Sequence, residues 1–130
     1  MKHLNALDAM FLYAETAQTP MHLSSVHRLE MKPGYRGDFV AEVRAHVRRR
    51  LHLAPILRRK LRHMAWGLLT PVWIEDDDID LEHHVRHLAL PAPGSMKQMS
   101  ALVGEVQSIP LDRTRPLWEL LLVSGFKGRG

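Results

Sequence analysis

Residues 95–123, Ser-Met-Lys-Gln-Met-Ser-Ala-Leu-Val-Gly-Glu-Val-Gln-Ser-Ile-Pro-Leu-Asp-Arg-Thr-Arg-Pro-Leu-Trp-Glu-Leu-Leu-Leu-Val, set a helix and a strand side by side. Ser95 and Gln98 have the spacing of a capping box, in which each side chain satisfies a backbone N–H that the first turn leaves unpaired. Behind them Met96, Met99, Leu102, Val103, Val106 and Ile109 recur at helical spacing, and Pro110 ends the run. Leu117 to Val123 is then apolar except for Glu119, the pattern of a strand buried on both faces. A capped helix feeding a buried strand predicts a layered α/β fold.

Upstream residues repeat that alternation. Asn5 and Asp8 are placed to cap a helix through residues 9–14, which Thr19-Pro20 closes. From Met21 to Met31 the odd positions Met21, Leu23, Ser25, His27, Leu29 and Met31 alternate with more polar ones, predicting a half-buried strand ahead of the Pro33-Gly34 turn. Asp38 caps a second predicted helix. Its Phe39, Val43, Val47 and Leu51 recur every fourth position, an arc of about 120° that also takes in Arg50. That arginine must either lie at a frayed end or snorkel outward. Leu57 to Arg62 fits a strand or an extended connection equally. Trp66 to Trp73 reads as a bent or edge strand interrupted by Gly67 and Pro71, and Ile79, Leu81, His83 and Val85 alternate as in another half-buried strand. At 130 residues the chain is expected to form one domain or one lobe of something larger.

Composition removes several classes of function. There is no cysteine, so thiol catalysis, disulfides and thiolate metal sites are out of reach. No apolar run approaches the roughly 20 residues that span a bilayer, and Asp8 follows Met1 too soon for a signal peptide, so a soluble cytoplasmic protein is expected. No Walker loop, Gly-x-Gly-x-x-Gly, Gly-x-Ser-x-Gly or internal repeat is present. Nine histidines invite a metal hypothesis, with His83, His84 and His87 the tightest group. The alternating pattern would put His84 on the opposite face from the other two, so no metal site is assigned.

Charge is unevenly spread. Arg44, Arg48, Arg49, Arg50, Arg58, Arg59, Lys60 and Arg62 form a basic block without an intervening acid, and six of the fourteen acids follow between Glu75 and Glu82. Two readings stay open. The block is a solvated face neutralised by the acids on folding, or Arg44, Arg48, Arg49, Arg58, Arg59 and Lys60 form a contact for phosphate or another anionic surface. Stacking aromatics are not interleaved with the block, which argues against nucleic acid.

Several segments together resemble the start of the bacterial wax ester synthase/diacylglycerol acyltransferase family: Leu4-Asn5-Ala6-Leu7-Asp8-Ala9-Met10-Phe11-Leu12, Pro20-Met21-His22, the stretch from Pro71-Val72-Trp73 through Asp80-Leu81-Glu82-His83-His84-Val85-Arg86, Leu90-Pro91-Ala92-Pro93-Gly94, and Leu111-Asp112-Arg113-Thr114-Arg115-Pro116-Leu117-Trp118-Glu119. Their order and spacing run across essentially the whole chain. The resemblance implies part of a lobe like those of chloramphenicol acetyltransferase, a mixed sheet with helices packed on it, with residues 1–130 as the N-terminal part of an N-terminal lobe. It also implies acyl-CoA as co-substrate, a diacylglycerol or long-chain alcohol as acceptor, and triacylglycerol or wax ester as product. Pro116, Leu117 and Trp118 would sit at the wall of the active site or substrate tunnel, with Trp118 equally explicable as a core residue. Met10, Phe11 and Met21 would either pack the core or line an acyl channel.

The family's active motif is His-His-x-x-x-Asp-Gly, whose second histidine takes the proton of the attacking hydroxyl. His83-His84 is followed by Val85-Arg86-His87-Leu88-Ala89 and does not match it, so structural or surface roles are expected for both histidines. The motif is expected beyond Gly130. The 130 residues alone are therefore expected to be inactive. A partner chain carrying the motif is one alternative, and a homo-oligomer is expected only as a way of covering exposed strand edges. The lipid context adds a peripheral membrane or lipid-droplet contact through the basic block. The alternatives are a non-catalytic lipid- or protein-binding module, or one half of a split enzyme.

Overall fold

The computed structural model describes residues 1–65 and 70–128. Their elements run β1 (Lys2–His3), α1 (Ala6–Ala14), α2 (Phe39–Arg50), two short 3-10 turns (Leu51–Leu53 and Pro55–Arg58), β2 (Arg59–Arg62), β3 (Val72–Glu75), α3 (Leu81–His84), β4 (Val85–Ala89), α4 (Met96–Gln107) and β5 (Leu120–Ser124). Parallel and antiparallel pairings fall in two separate small sheets. One is antiparallel in the order β1-β3-β2, and the other pairs β4 with β5 in parallel. Parallel neighbours need a crossover, and α4 supplies it. The register runs from Val85 opposite Leu120 to Ala89 opposite Ser124.

The caps form as the sequence predicts. Asn5 Oδ1 accepts the Asp8 N–H at 2.7 Å, Asp38 Oδ1 accepts that of Ala41 at 3.1 Å, and Ser95 and Gln98 close the capping box on α4. Helix α2 runs through Arg50, which is exposed and donates to the His46 carbonyl, and the chain then tightens into a 3-10 turn at Leu51. Arg48, Arg49 and Arg50 crowd the last turn of α2, where cations complement the helix dipole.

Three sequence expectations are corrected. Residues 21–31 form no strand, because no backbone–backbone hydrogen bond reaches them among the described residues. The expected strand at Ile79–Val85 is instead a turn of helix followed by β4. Asp80 Oδ1 accepts from the N–H groups of Glu82 and His83 and bends the chain, so Leu81, His84 and Val85 become the buried residues and His83 does not. The expected strand at Leu117 starts only at Leu120. Pro116 cannot donate to a ladder, and the Trp118 N–H turns back to the Pro116 carbonyl at 2.9 Å. The Leu57–Arg62 segment, open in the sequence, divides into a 3-10 turn and β2. Of the bent strand expected from Trp66 to Trp73, residues 66–69 lie outside the described residues, Thr70 and Pro71 are not in a strand, and Val72 and Trp73 open β3, which runs on to Glu75.

The core is small and sits where β2, β3, α3 and β4 meet: Leu61, Val72, Leu81, Val85 and His84. Beyond it the turn before α4 crosses the end of β5. Gly94 has φ +69°, and a Cβ there would lie 1.8 Å from the Gly125 carbonyl oxygen, so only glycine fits. Among the described residues no helix is long and apolar enough to cross a membrane.

Candidate functional site

Pro116, Leu117 and Trp118 lie where the core opens onto a cleft. Pro116 is buried. The indole of Trp118 stacks on the His84 imidazole, with ring centroids 4.4 Å apart, and donates from Nε1 to the Leu57 carbonyl at 2.9 Å. His84 in turn bonds the Trp118 carbonyl through Nδ1 at 2.7 Å. A carbonyl only accepts, so Nδ1 carries the proton and the neutral ring keeps its lone pair on Nε2. Burial pulls the His84 pKa below its ordinary 6.5, and the hydrogen bond to Trp118 only partly offsets it. His84 thus acts as a neutral brace for the Trp118 backbone.

Charged groups fix the approach to this brace. Glu119 accepts from Arg86 at 2.9 Å and lies 3.6 Å from His83. Arg115 joins Asp80 and Asp112, at 3.4 and 3.3 Å. Burial would raise the Asp80 carboxyl, but the Glu82 and His83 N–H groups together with Arg115 hold it below the usual range. Asp112 is held low chiefly by the Thr114 hydroxyl and N–H. Further along, Arg113 donates to the Leu12 carbonyl and to Glu15, whose other oxygen accepts the Met21 N–H at 3.0 Å. One acid thereby anchors both α1 and the start of residues 21–31 to the segment before β5.

The cleft is about 400 Å³ and apolar, walled by residues 22–27 and 29 on one side and by Leu117–Val123 on the other. Met99, Leu102, Val103 and Val106 of α4 form its floor. Gln107 clamps one end, donating to the His22 carbonyl at 2.9 Å and accepting from the Ser24 hydroxyl. His22 Nδ1 is buried without a hydrogen-bond partner among the described residues. Trp118 lines this cleft while bracing the core, so both roles that the sequence left open for it are compatible with its position. Met10, Phe11 and Met21 are not among its walls.

A surface of this kind accommodates an alkyl chain or another apolar segment. For acid–base chemistry it offers little. Ser25 and His27 bond at 3.0 Å, but both are exposed and two residues apart on one strand of chain, with no third group orienting the imidazole among the described hydrogen bonds. Among the described residues no group of three His, Asp or Glu side chains is placed to hold a metal ion.

The basic block divides. Arg58 pairs with Glu75 at 3.7 Å, Lys60 with Asp76 at 3.5 Å, Arg59 stacks over the Trp73 ring at 4.5 Å, and Arg44 donates to the Val85 carbonyl. Arg48 and Arg49 are exposed at the end of α2 and enter no ion pair among the described residues.

The His84–Trp118 brace thus stands beside an apolar cleft, on a βαβ unit flanked by a small antiparallel sheet. The wax ester synthase/diacylglycerol acyltransferase catalytic domain matches residues 4–130, and the chain belongs to that family. It superposes on 31% of the solved wax ester synthase/diacylglycerol acyltransferase of Marinobacter aquaeolei VT8, with a TM-score of 0.76, 35% identity and 99% of this chain covered. It is also similar to two Mycobacterium tuberculosis proteins. These are named probable diacylglycerol O-acyltransferase tgs3 (39% identical, covering 95% of this chain and 45% of the relative) and tgs2 (36% identical, 91% and 26%). The chain therefore spans between about a quarter and under half of the length of these relatives.

Proposed function

We propose that the chain forms one part of an acyltransferase lobe, the N-terminal part of the first lobe, and supplies the wall of a substrate tunnel. In the complete enzyme the acyl group passes from acyl-CoA to the hydroxyl of a diacylglycerol or long-chain alcohol, giving triacylglycerol or wax ester. The observation that carries this reading is the apolar cleft beside Leu117 and Trp118, in a chain that matches the family's catalytic domain from residue 4 to residue 130. An alkyl chain is lined there by the methionine, leucine and valine side chains of α4, and His84 holds Trp118 in place without touching the reacting atoms.

The 130 residues contain no His-His-x-x-x-Asp-Gly, so the proton acceptor for the attacking hydroxyl is missing from them. Incubation of the chain with acyl-CoA and diacylglycerol should give no triacylglycerol above a no-protein control, and product formation would refute the reading. A peripheral contact with anionic lipid rests on Arg48 and Arg49. Exposed cations near an anionic surface contribute about 1 kcal/mol each. Flotation with anionic vesicles should exceed that with neutral ones, and should fall when both are changed to Gln.

A further inference from the structure

Two aliphatic side chains stand out of the surface just beyond the free cations of α2. Leu53 is 69% exposed and Ile56 62%, although both belong to short, ordered turns. Those turns are closed by hydrogen bonds between residues three apart: Ala54 donates to the Leu51 carbonyl at 3.1 Å, and Leu57 to that of Ala54 at 2.9 Å. With about three residues per turn, every third side chain shares a side. Leu51, Ala54 and Leu57 are accordingly the half-buried set, and the Leu57 carbonyl accepts the Trp118 indole N–H, which ties that side to the core. Leu53 and Ile56 form a second set that points outward. One exposed leucine is ordinary, but two on one side of a turn held from beneath make a fixed apolar tip.

The charge around this tip is one-sided. No acid occurs between Arg44 and Arg62. Downstream of the tip Arg58 and Lys60 are matched by Glu75 and Asp76. Upstream, Arg48 and Arg49 are exposed and enter no ion pair among the described residues. At about 2 Å of rise per residue, Ile56 follows them within roughly 15 Å along the chain.

We propose that the Leu53–Ile56 turn inserts into the interface of an anionic bilayer, with Arg48 and Arg49 beside it at the lipid phosphates. The cations draw the surface in over a Debye length of about 10 Å, and the apolar tip then holds it there. The size of the patch favours a bilayer over a protein. A specific protein interface takes about 20–30 residues a side and a shaped pocket for each anchor. Here two aliphatic tips and two cations lie between Arg48 and Ile56, and a fluid bilayer accepts them without shape complementarity. A small free anion would engage the arginines and leave the aliphatic pair in water. This inference rests on the anionic-lipid reading of Arg48 and Arg49, and adds an inserted element that electrostatic contact alone does not require.

Because the chain has no cysteine, Leu53→Cys or Ile56→Cys carries a single environment-sensitive fluorophore. On vesicles of phosphatidylcholine with phosphatidylglycerol, either probe should brighten and be quenched by nitroxides on the lipid acyl chains. A probe at Ser100→Cys, exposed on α4, should do neither. Leu53→Ser combined with Ile56→Ser should lower partition onto these vesicles about tenfold and leave the thermal transition unchanged, since both side chains are exposed. Vesicle binding that falls with Arg48→Gln and Arg49→Gln while the probes at 53 and 56 stay in water would keep the electrostatic reading and overturn insertion. Absence of binding to anionic vesicles would overturn both. A probe shielded before lipid is added, in the isolated chain or in a chimera with the rest of the Marinobacter enzyme, would mean that a second copy or the remaining fold covers the turn, and would also overturn the proposal.

Discussion

The floor of the core and the flank of the cleft are built from the same kinds of residue to opposite effect. Around Val85, which is fully buried, Leu61, Val72, Leu81 and His84 are enclosed by two sheets and a helical turn. Around Val26, which is mostly exposed, Leu23, Leu29 and Met31 stand in solvent beside an open sheet edge. Both stretches alternate apolar and polar residues. The difference is the partner: Val85 faces Leu120 across a ladder, and Val26 faces a gap. Alternation specifies a surface suited to a strand, and a second backbone makes it one.

Changes made on the two sides of this contrast should separate widely. Val85→Asp places an unpaired charge in the enclosed region and should remove the cooperative thermal transition altogether, as seen by circular dichroism. Leu81→Ala should cost about 2–5 kcal/mol in urea denaturation, from lost burial and the cavity left behind. His84→Phe leaves the Trp118 carbonyl without its donor and should cost about 1–3 kcal/mol. At the other extreme Leu23→Ala should stay within about 0.5 kcal/mol of the parent, because its side chain touches little. A cost for Leu23→Ala comparable to that for Leu81→Ala would erase the distinction.

Acid sharpens the same contrast. The folded His84 has its pKa below 6.5, so the unfolded chain binds the proton more readily. The stability this contributes is complete above about pH 6.5 and is lost as pH falls from there toward the folded pKa. His84→Asn keeps a donor to the Trp118 carbonyl and does not titrate. In urea melts it should flatten the stability profile across that window, and an unchanged slope would assign the dependence to other histidines.

Much of the fold was legible in the residues. Asn5, Asp38 and Ser95 announce the three long helices, because a cap is a local hydrogen bond and needs no tertiary context. At residues 79–85 alternation points to a strand, but the Asp80 cap turns the chain and exchanges which histidine is buried. Pro116 held a similar signal, and it delays β5 by three residues. The Pro-Leu-Trp position was legible through resemblance alone. Its physical role was not, since nothing local in His84 or Leu57 says that they meet Trp118 across 34 and 61 residues. The basic block was legible as composition, and only the folded chain separates the four cations engaged by Glu75, Asp76, Trp73 and Val85 from Arg48 and Arg49.

The most direct test is amide hydrogen exchange on the isolated chain, followed residue by residue. Slow exchange at Leu61, Val72 and the paired amides of Val85–Ala89, with residues 22–31 exchanging at rates near those of an unfolded peptide, is the predicted result. Equal protection of residues 22–31 and Val85–Ala89 in the monomer would contradict it.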